Sequence, residues 1–342
     1  PPEIDAPRPG DPDVIYYGPG IHEVSRVVVG DNKTVYVAGG AVVRCVIRPD
    51  EKFSISGYSG LKNYPPSFEL RGKQIAFRGR GIVDCGGCTT HARHPLFVTG
   101  SDIAIEGVIL RDSSTWTIPI RQSDRVTVRN VKLCNSRVQN DDGINPCNSR
   151  DVLITDCFIR SDDDCVALKG LDLGVPSPNV EDIVVEDSVL WCDRARIFLL
   201  GHESRAEFMR DVTLRNLDII HFTMTSFLFE PGEEMRLEDV TVENIRIHGE
   251  GQNALIRLKP TVNQYMRNKV PGYIRDVRFR NLTVSGKPGT YRVQITGADE
   301  QHNVRGVTFD NVEMPDGRLS ADSARLQVGQ HVDGIRFAPT RR

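Results

Sequence analysis

The chain lacks the features that would tie it to a membrane or a nucleic acid. No apolar run approaches the roughly 20 residues a helix needs to cross a bilayer. Acidic and basic residues nearly balance, 46 against 43, so a formal net charge of −3 gives no electrostatic hold on nucleic acid or an anionic surface. The opening PPEIDAPRPG has neither a basic n-region nor an apolar h-region. The expectation is a mature chain, secreted or periplasmic. Helical periodicity is weak throughout, and the turn dipeptides that close antiparallel hairpins are scarce, which argues against helix bundles and β-propellers. No linker interrupts the sequence, so one domain is expected over residues 1–342. Cysteine is present, eight residues in all, and an even count permits disulfides without dictating any pairing. Cys85-Gly-Gly-Cys88 has no second pair beside it and reads as a corner or a disulfide rather than a zinc site.

What the chain has instead is repetition. SDIAIEGVIL, DRVTVRNVKL, DVLITDCFIR, DIVVEDSVLW, DVTLRNLDII, DVTVENIRIH, DVRFRNLTVS and GVTFDNVEMP share one plan: a short alternating strand, a polar or glycine corner, and a second short strand. The first apolar positions are Ile75, Ile103, Val126, Val152, Ile183, Val212, Val240, Val277, Val307 and Ile335, separated by 23 to 37 residues. Four residues after each of the first nine stands Gly79, Gly107, Asn130, Asp156, Asp187, Asn216, Asn244, Asn281 or Asn311. Gly, Asn and Asp are the residues that tolerate a left-handed backbone, so this column predicts one tight corner repeated in every coil. The period suits an all-β solenoid, a right-handed parallel β-helix of about ten coils, with the corner asparagines stacked as a ladder. Residues 1–50 read as entry coils or an N-terminal cap.

The segment NDDGINPCNSRDVLITDCFIRSDDDCVALKG, residues 140–170, places Asp141-Asp142 and Asp162-Asp163-Asp164 in consecutive coils. Adjacent coils lie about 4.8 Å apart, so both bursts emerge on one face. Carboxyls that close cannot all ionise freely. A proton donor beside a water-activating base is what cleavage of a glycosidic bond requires. Solvated turns or a calcium site are the bland alternatives.

The block N-D-D-G-I-N, a strand, then D-D-C-V-A-L-K resembles the polygalacturonase-type glycoside hydrolases of family 28 and their clan relatives, the dextranase-type enzymes of family 49. The resemblance is specific only between Asn140 and Lys169. It implies a right-handed β-helix and inverting hydrolysis, with Asp142, Asp163 and Asp164 as the catalytic carboxyls. By that resemblance Asp164 is the general acid, while Asp142 and Asp163 hold and deprotonate water. No metal and no cofactor are implied.

The sugar is less legible. Polygalacturonases follow the D-D with G-H-G and then R-I-K, a basic pair resembling a clamp for the galacturonate carboxylate. Gly201-His202-Glu203 and Arg257-Leu258-Lys259 are tempting matches. Coil counting puts the first slot near Asp193-Arg194-Ala195 and the second on Phe227-Leu228-Phe229, with Arg257 and Lys259 about 19 Å along the axis from Asp142. Phe229 and Glu230 at that slot would suit an uncharged sugar, so uronide and neutral glycan both stay open. Asn140, Asp141, Lys169, Trp116, Arg196, His202, Glu203 and Glu230 are the expected substrate-binding residues, Trp116 as a stacking platform for a pyranose face. His91-Ala-Arg-His94 reads as a surface loop. The expected partner is a poly- or oligosaccharide, with no nucleic acid and no membrane insertion. The competing readings are a non-catalytic β-helix that binds glycan or calcium and a β-helix polysaccharide lyase.

Overall fold

The computed structural model describes residues 5–173 and 178–338. Residues 1–4 of the expected entry segment therefore lie outside the described part. Among the described residues there is no helix, and so none long and apolar enough to cross a membrane. Apart from two short antiparallel pairings, the strands pair in parallel with counterparts in the neighbouring coil. Ile75, Ile103, Val126, Val152, Ile183, Val212, Val240, Val277 and Val307 form one continuous column of partners. All nine are buried, because strict alternation turns every second residue of these strands inward. In Arg236–Glu250 the inward set is Leu237, Val240, Val242, Ile245 and Ile247, and the residues between them face outward. Large rings fill the later coils, where Phe279 stacks on Phe309 and Phe309 on Phe337 at centroid distances of 5.4 and 5.5 Å.

The expected corner column is present. Asn130, Asp156, Asp187, Asn216, Asn244, Asn281 and Asn311 all have φ between 49° and 56°, and the side-chain amides of the last four are bonded in series at 3.1, 3.0 and 3.0 Å. A second left-handed column lies one residue before each anchor: Gln74, Asp102, Arg125, Asp151, Asp182, Asp211, Asp239 and Asp276, φ 51–57°, then Gly306 at 72°. It divides each coil's first strand from the anchor strand. At Gly79 the backbone needs its missing side chain: φ is 134°, and a Cβ there would lie 2.0 Å from the Val37 carbonyl oxygen.

The first strands of the coils make the sheet that carries the acids. It runs from Phe68–Gly79 through Leu96–Glu106, Ile118–Arg121, Ile144–Cys147, Val166–Gly170, Arg196–Ser204 and Thr225–Glu230 to Ala254–Leu258. Two excursions leave this regular frame. Between Ala41–Cys45 and Phe68–Gly79 the chain makes a small antiparallel hairpin, Ser54–Ile55 with Lys62–Asn63. Between Ala254–Leu258 and Tyr273–Lys287 it makes a loop held where Asn263 Nδ2 donates to the His202 carbonyl at 2.8 Å and Met266 is buried.

The reading of residues 91–94 as a surface loop is corrected here. Arg93 is fully buried, pairs with Glu51 at the base of the hairpin, and donates through Nη1 to the carbonyls of Ser25 and Val46. Burying a guanidinium is tolerable only with such partners. All eight cysteines are free thiols, seven of them buried, so Cys85-Gly-Gly-Cys88 forms no disulfide.

Candidate active site

The two acidic bursts converge as the coil geometry requires. Gly143 and Ile144 donate to the carbonyls of Asp164 and Cys165, which locks the Asn140–Asp142 turn against the Asp162–Asp164 turn of the next coil. Asp142, Asp163 and Asp164 all line one cavity of about 370 Å³. Asp141, read from sequence as a substrate-binding residue, does not. Its side chain points the other way, is fully buried, and accepts four backbone N–H bonds. Oδ1 takes those of Asp162 and Asp163 at 2.7 and 3.2 Å, and Oδ2 those of Ser136 and Arg137 at 2.9 and 3.2 Å. Burial pushes its carboxyl up to about 6, against the pull of those four donors. Asp141 is the tie between the bursts.

The three cavity carboxyls differ in their surroundings. Asp142 is deeply recessed, with its side chain 3% exposed. Asn145 Nδ2 donates to its Oδ2 at 2.7 Å, and Lys169 Nζ stands 3.8 Å away. Burial, then the Asp163 and Asp164 charges, raise Asp142 well above the ordinary carboxyl range, with Lys169 opposing. Asp163 is more open, 19% exposed, near Arg194 at 3.4 Å and Arg196 at 3.7 Å. Burial and its neighbour Asp164 raise it too, the two arginines notwithstanding. Asp164 is held in a fork: Arg196 Nε donates to Oδ1 at 2.6 Å and Nη2 to Oδ2 at 2.8 Å. A bidentate guanidinium favours a carboxylate that accepts. The resemblance assigns the proton donor to Asp164, whose two oxygens both accept from Arg196 here.

The expected binding residues mostly gather here. Asn140, Trp116, Lys169, Arg196, His202 and Glu203 line the cavity. Trp116 Nε1 donates to Asn140 Oδ1 at 3.1 Å, and Lys169 Nζ lies 4.8 Å from the Trp116 ring centroid. Burial alone would neutralise Lys169, but Glu203, with Nζ–Oε2 at 3.0 Å, and then Asp142 hold it charged. Lys169 in return outweighs burial and keeps Glu203 below its ordinary value. Glu230 does not line the cavity. It stands behind His202, whose Nδ1 donates to its carboxylate.

Coil counting is correct for the first slot. Arg194 donates its backbone N–H to the Asp162 carbonyl at 3.1 Å, while His202 reaches the cavity later in the same coil. Arg257 lies outside the cavity and donates to Gln294 from Nη2 at 3.0 Å.

Several cavity residues escaped the sequence reading, above all Arg121, His94, Tyr58 and Tyr265. Arg121 follows Trp116 on Ile118–Arg121, and its register partner Cys147 pairs in turn with Lys169. That two-step column was a usable signal. Its guanidinium lies over the faces of Phe97 and Trp116, at 5.1 and 5.9 Å. It makes no ion pair among the described residues, and its Nε is buried without a partner. His94 donates from Nδ1 to the Trp116 carbonyl at 2.7 Å, and burial lowers its pKa to about 4, so it faces the cavity neutral.

The fold and this acidic cavity define a parallel β-helix with three converging carboxyls, and comparison with known proteins shows what such a chain is similar to. Residues 84–176 match the model of glycosyl hydrolases family 28, a stretch that contains both acidic bursts. A probable polygalacturonase of Vitis vinifera is 24% identical over 191 residues, 54% of this chain and 31% of the relative. The family 28 exopolygalacturonase of Yersinia enterocolitica superposes with a TM-score of 0.71 at 13% identity, covering 93% of this chain and 71% of that one. Dex49A from Penicillium minioluteum gives 0.67 at 13% identity, over 95% and 60% of the two chains. The right-handed parallel β-helix is therefore the fold. The resemblance to the family 28 hydrolases holds over residues 84–176, and Dex49A shares the fold. The matched stretch spans less than a third of the Vitis relative.

Proposed function

We propose that this chain hydrolyses O-glycosidic bonds of a polysaccharide, outside the cytoplasm, with inversion at the anomeric carbon. The observation that carries the reading is the unequal treatment of three converging carboxyls. Burial raises Asp142 and Asp163, whereas both oxygens of Asp164 accept hydrogen bonds from the Arg196 fork. Inverting hydrolysis needs one carboxyl protonated toward the glycosidic oxygen and another ionised toward water. Asp163 is the more exposed of the raised pair and can reach a bulky glycosidic oxygen. Water is small enough to sit in the recess against Asp142 and Asp164. Asp163 is accordingly the general acid, Asp164 deprotonates the water and Asp142, itself raised, holds that water in the recess, the reverse of what the resemblance implies for Asp163 and Asp164.

The same cavity favours a sugar acid. Arg196 and Lys169 are committed to carboxylates of the protein, and Arg121 alone among the cavity's lysines and arginines forms no ion pair among the described residues. A buried guanidinium edge without a partner is costly, and a substrate carboxylate supplies the missing acceptor. The clamp thus lies on the N-terminal side of the acids rather than at Phe227-Leu228-Phe229. The name of the Vitis relative, a probable polygalacturonase, agrees with a galacturonate polymer.

The test is release of reducing sugar, in the presence of chelator, from polygalacturonate, rhamnogalacturonan, dextran, pullulan and galactan. Polygalacturonate should be cleaved, the initial product should carry the inverted anomeric configuration by NMR, and Asp142→Asn should abolish release. No release from any polymer would overturn the hydrolase reading.

A further inference from the structure

Two tyrosines that share no coil meet above the acids. Tyr58 sits at the tip of the hairpin that precedes Phe68–Gly79, and Tyr265 in the loop that follows Ala254–Leu258. Between those two strands the acid-bearing sheet takes seven pairing steps. At one strand spacing each, the roots of the two loops are about 34 Å apart along the axis. The tyrosine rings nevertheless stand 6.2 Å apart, centroid to centroid. That is contact distance for aromatic rings, which leaves no gap for a pyranose between them.

The loops also start from opposite edges of the sheet. The hairpin feeds the beginning of its strand, as the Asn140–Asp142 and Asp162–Asp164 turns do, whereas the Tyr265 loop leaves from the end of its strand, as His202 does. The contact therefore crosses the groove diagonally above the acids, and both tyrosines line the same cavity as Asp142, Asp163 and Asp164.

Tyr58 is 63% exposed at the hairpin tip, and each tyrosine has a second ring neighbour. Tyr58 lies 5.8 Å from the His91 ring, and Asn63 Nδ2 ties the hairpin to the His91 carbonyl at 3.1 Å. Tyr265 lies 5.0 Å from the His202 ring, and its carbonyl accepts from Arg205 Nη2 at 2.8 Å. The cavity beneath, about 370 Å³, is at the small end of ligand sites, which run from roughly 300 to 1,000 Å³. It is a chamber for a few sugar units.

We propose that the Tyr58–Tyr265 bar bars the groove to a passing polymer, so that glycan chains enter end first and are shortened from the terminus. This rests on the hydrolase reading and adds the mode of attack. A chain lying along the sheet would have to pass through two rings in contact, whereas a chain end needs only the chamber. Tyr58 and Tyr265 are then specificity-determining residues: they select ends over interiors and touch no reacting bond.

The product pattern tests this without any variant. On the polymer of the panel that is cleaved, the first products should be mono- or disaccharides, and viscosity should hardly fall while reducing ends accumulate. The Tyr58→Ala, Tyr265→Ala double variant, checked for folding by circular dichroism, should raise viscosity loss per reducing end severalfold and release longer oligosaccharides early. If the unaltered protein instead gives a ladder of long oligosaccharides from the first minutes, with Asp163→Asn inactive, the bar is overturned and the hydrolase reading stands. If the double variant folds and keeps the terminal pattern, the tyrosines are not what enforces it. Failure to cleave any polymer of the panel sinks both readings together.

Discussion

Arg196 grips Asp164 by two parallel hydrogen bonds, Nε to Oδ1 at 2.6 Å and Nη2 to Oδ2 at 2.8 Å, while Asp163, its neighbour in sequence, has only looser cations at 3.4 and 3.7 Å. On the proposed mechanism these adjacent carboxyls take opposite tasks. The first prediction separates them by leaving group. Asp163→Asn should lose most turnover on a natural glycan but keep much of it on an activated aryl glycoside, which needs little protonation. Asp164→Asn should lose both, because water activation is needed for either. Each loss should be roughly 10²-fold or more. Rates on the two substrate types decide it, and the reverse pattern would return the acid role to Asp164.

Arg196 itself is the second test. Arg196→Gln keeps a donor but removes the charge and the fork, so kcat should fall by roughly 10²-fold with little change in melting temperature. Arg196→Lys should recover little, since an ammonium cannot make two parallel bonds to one carboxylate. Full recovery by lysine would mean that charge alone matters there.

Asp141 calls for a different measurement. Asp141→Asn replaces one acceptor oxygen by an amide that faces two backbone donors. Each donor left unpaired in the interior costs roughly 1–3 kcal/mol. The variant should melt earlier and lose activity without any cavity side chain having changed. An unchanged melting curve would show that the two bursts are held together by the backbone ladder alone.

The fourth prediction concerns acid stability. His94 falls from 6.5 to about 4 on folding, so this residue binds fewer protons in the folded chain than in the unfolded one across that window. Stability from this group is lost as pH drops from about 6.5 toward 4, by about 3 kcal/mol in all. Asp141 rises from 3.8 to about 6 and acts with the opposite sign, adding stability as pH drops through the same range. Raised Asp142 and Asp163 side with it. His94→Gln should therefore become more stable on acidification from pH 6.5 to 4.5, where the unaltered protein changes less. Thermal melts at several pH values read this directly.

The fifth concerns a corner. Asn244 donates to Asn216 at 3.1 Å and accepts from Asn281 at 3.0 Å, at φ 55°. Asn244→Ala loses two exposed amide bonds and places alanine in a left-handed conformation, which should cost about 1–3 kcal/mol. Asn244→Gly should be milder, because glycine restores the backbone though not the bonds. Denaturant melts of the two variants give the order.

Much of this architecture was readable from residues alone because a solenoid repeats its own instructions. Val212, Val240 and Val277 announce one inward column, and Asn216, Asn244 and Asn281 one corner, since only a few residue types accept that backbone. The column one residue earlier was missed because Gln74 and Arg125 stand in it among the aspartates, and neither suggests a left-handed turn. Asp142, Asp163 and Asp164 were legible as stacked bursts, but which way Asp141 faces was not: adjacent residues differ in direction only once the turn is built. Glu230 was placed in the correct coil and on the wrong side of His202. Arg121 looked unremarkable because its meaning is an absence of ion-pair partners among the described residues, and His94 because its meaning is burial beneath Trp116, neither of which any linear spacing encodes. Tyr58 and Tyr265 lie on non-repeating excursions, and their meeting depends on the path of two loops that no period describes.

That meeting makes the solenoid a ruler. Inserting or deleting one coil between Phe68–Gly79 and Ala254–Leu258 would shift one tyrosine by about 4.8 Å relative to the other, enough to part rings that now touch. The three cavity carboxyls, set by two consecutive coils, would stay together if the change fell elsewhere. On the proposed reading, chemistry is a local property of neighbouring turns, while access is written in their number. A lineage that duplicated or lost a single coil could change how it attacks a chain without altering one residue that touches the scissile bond.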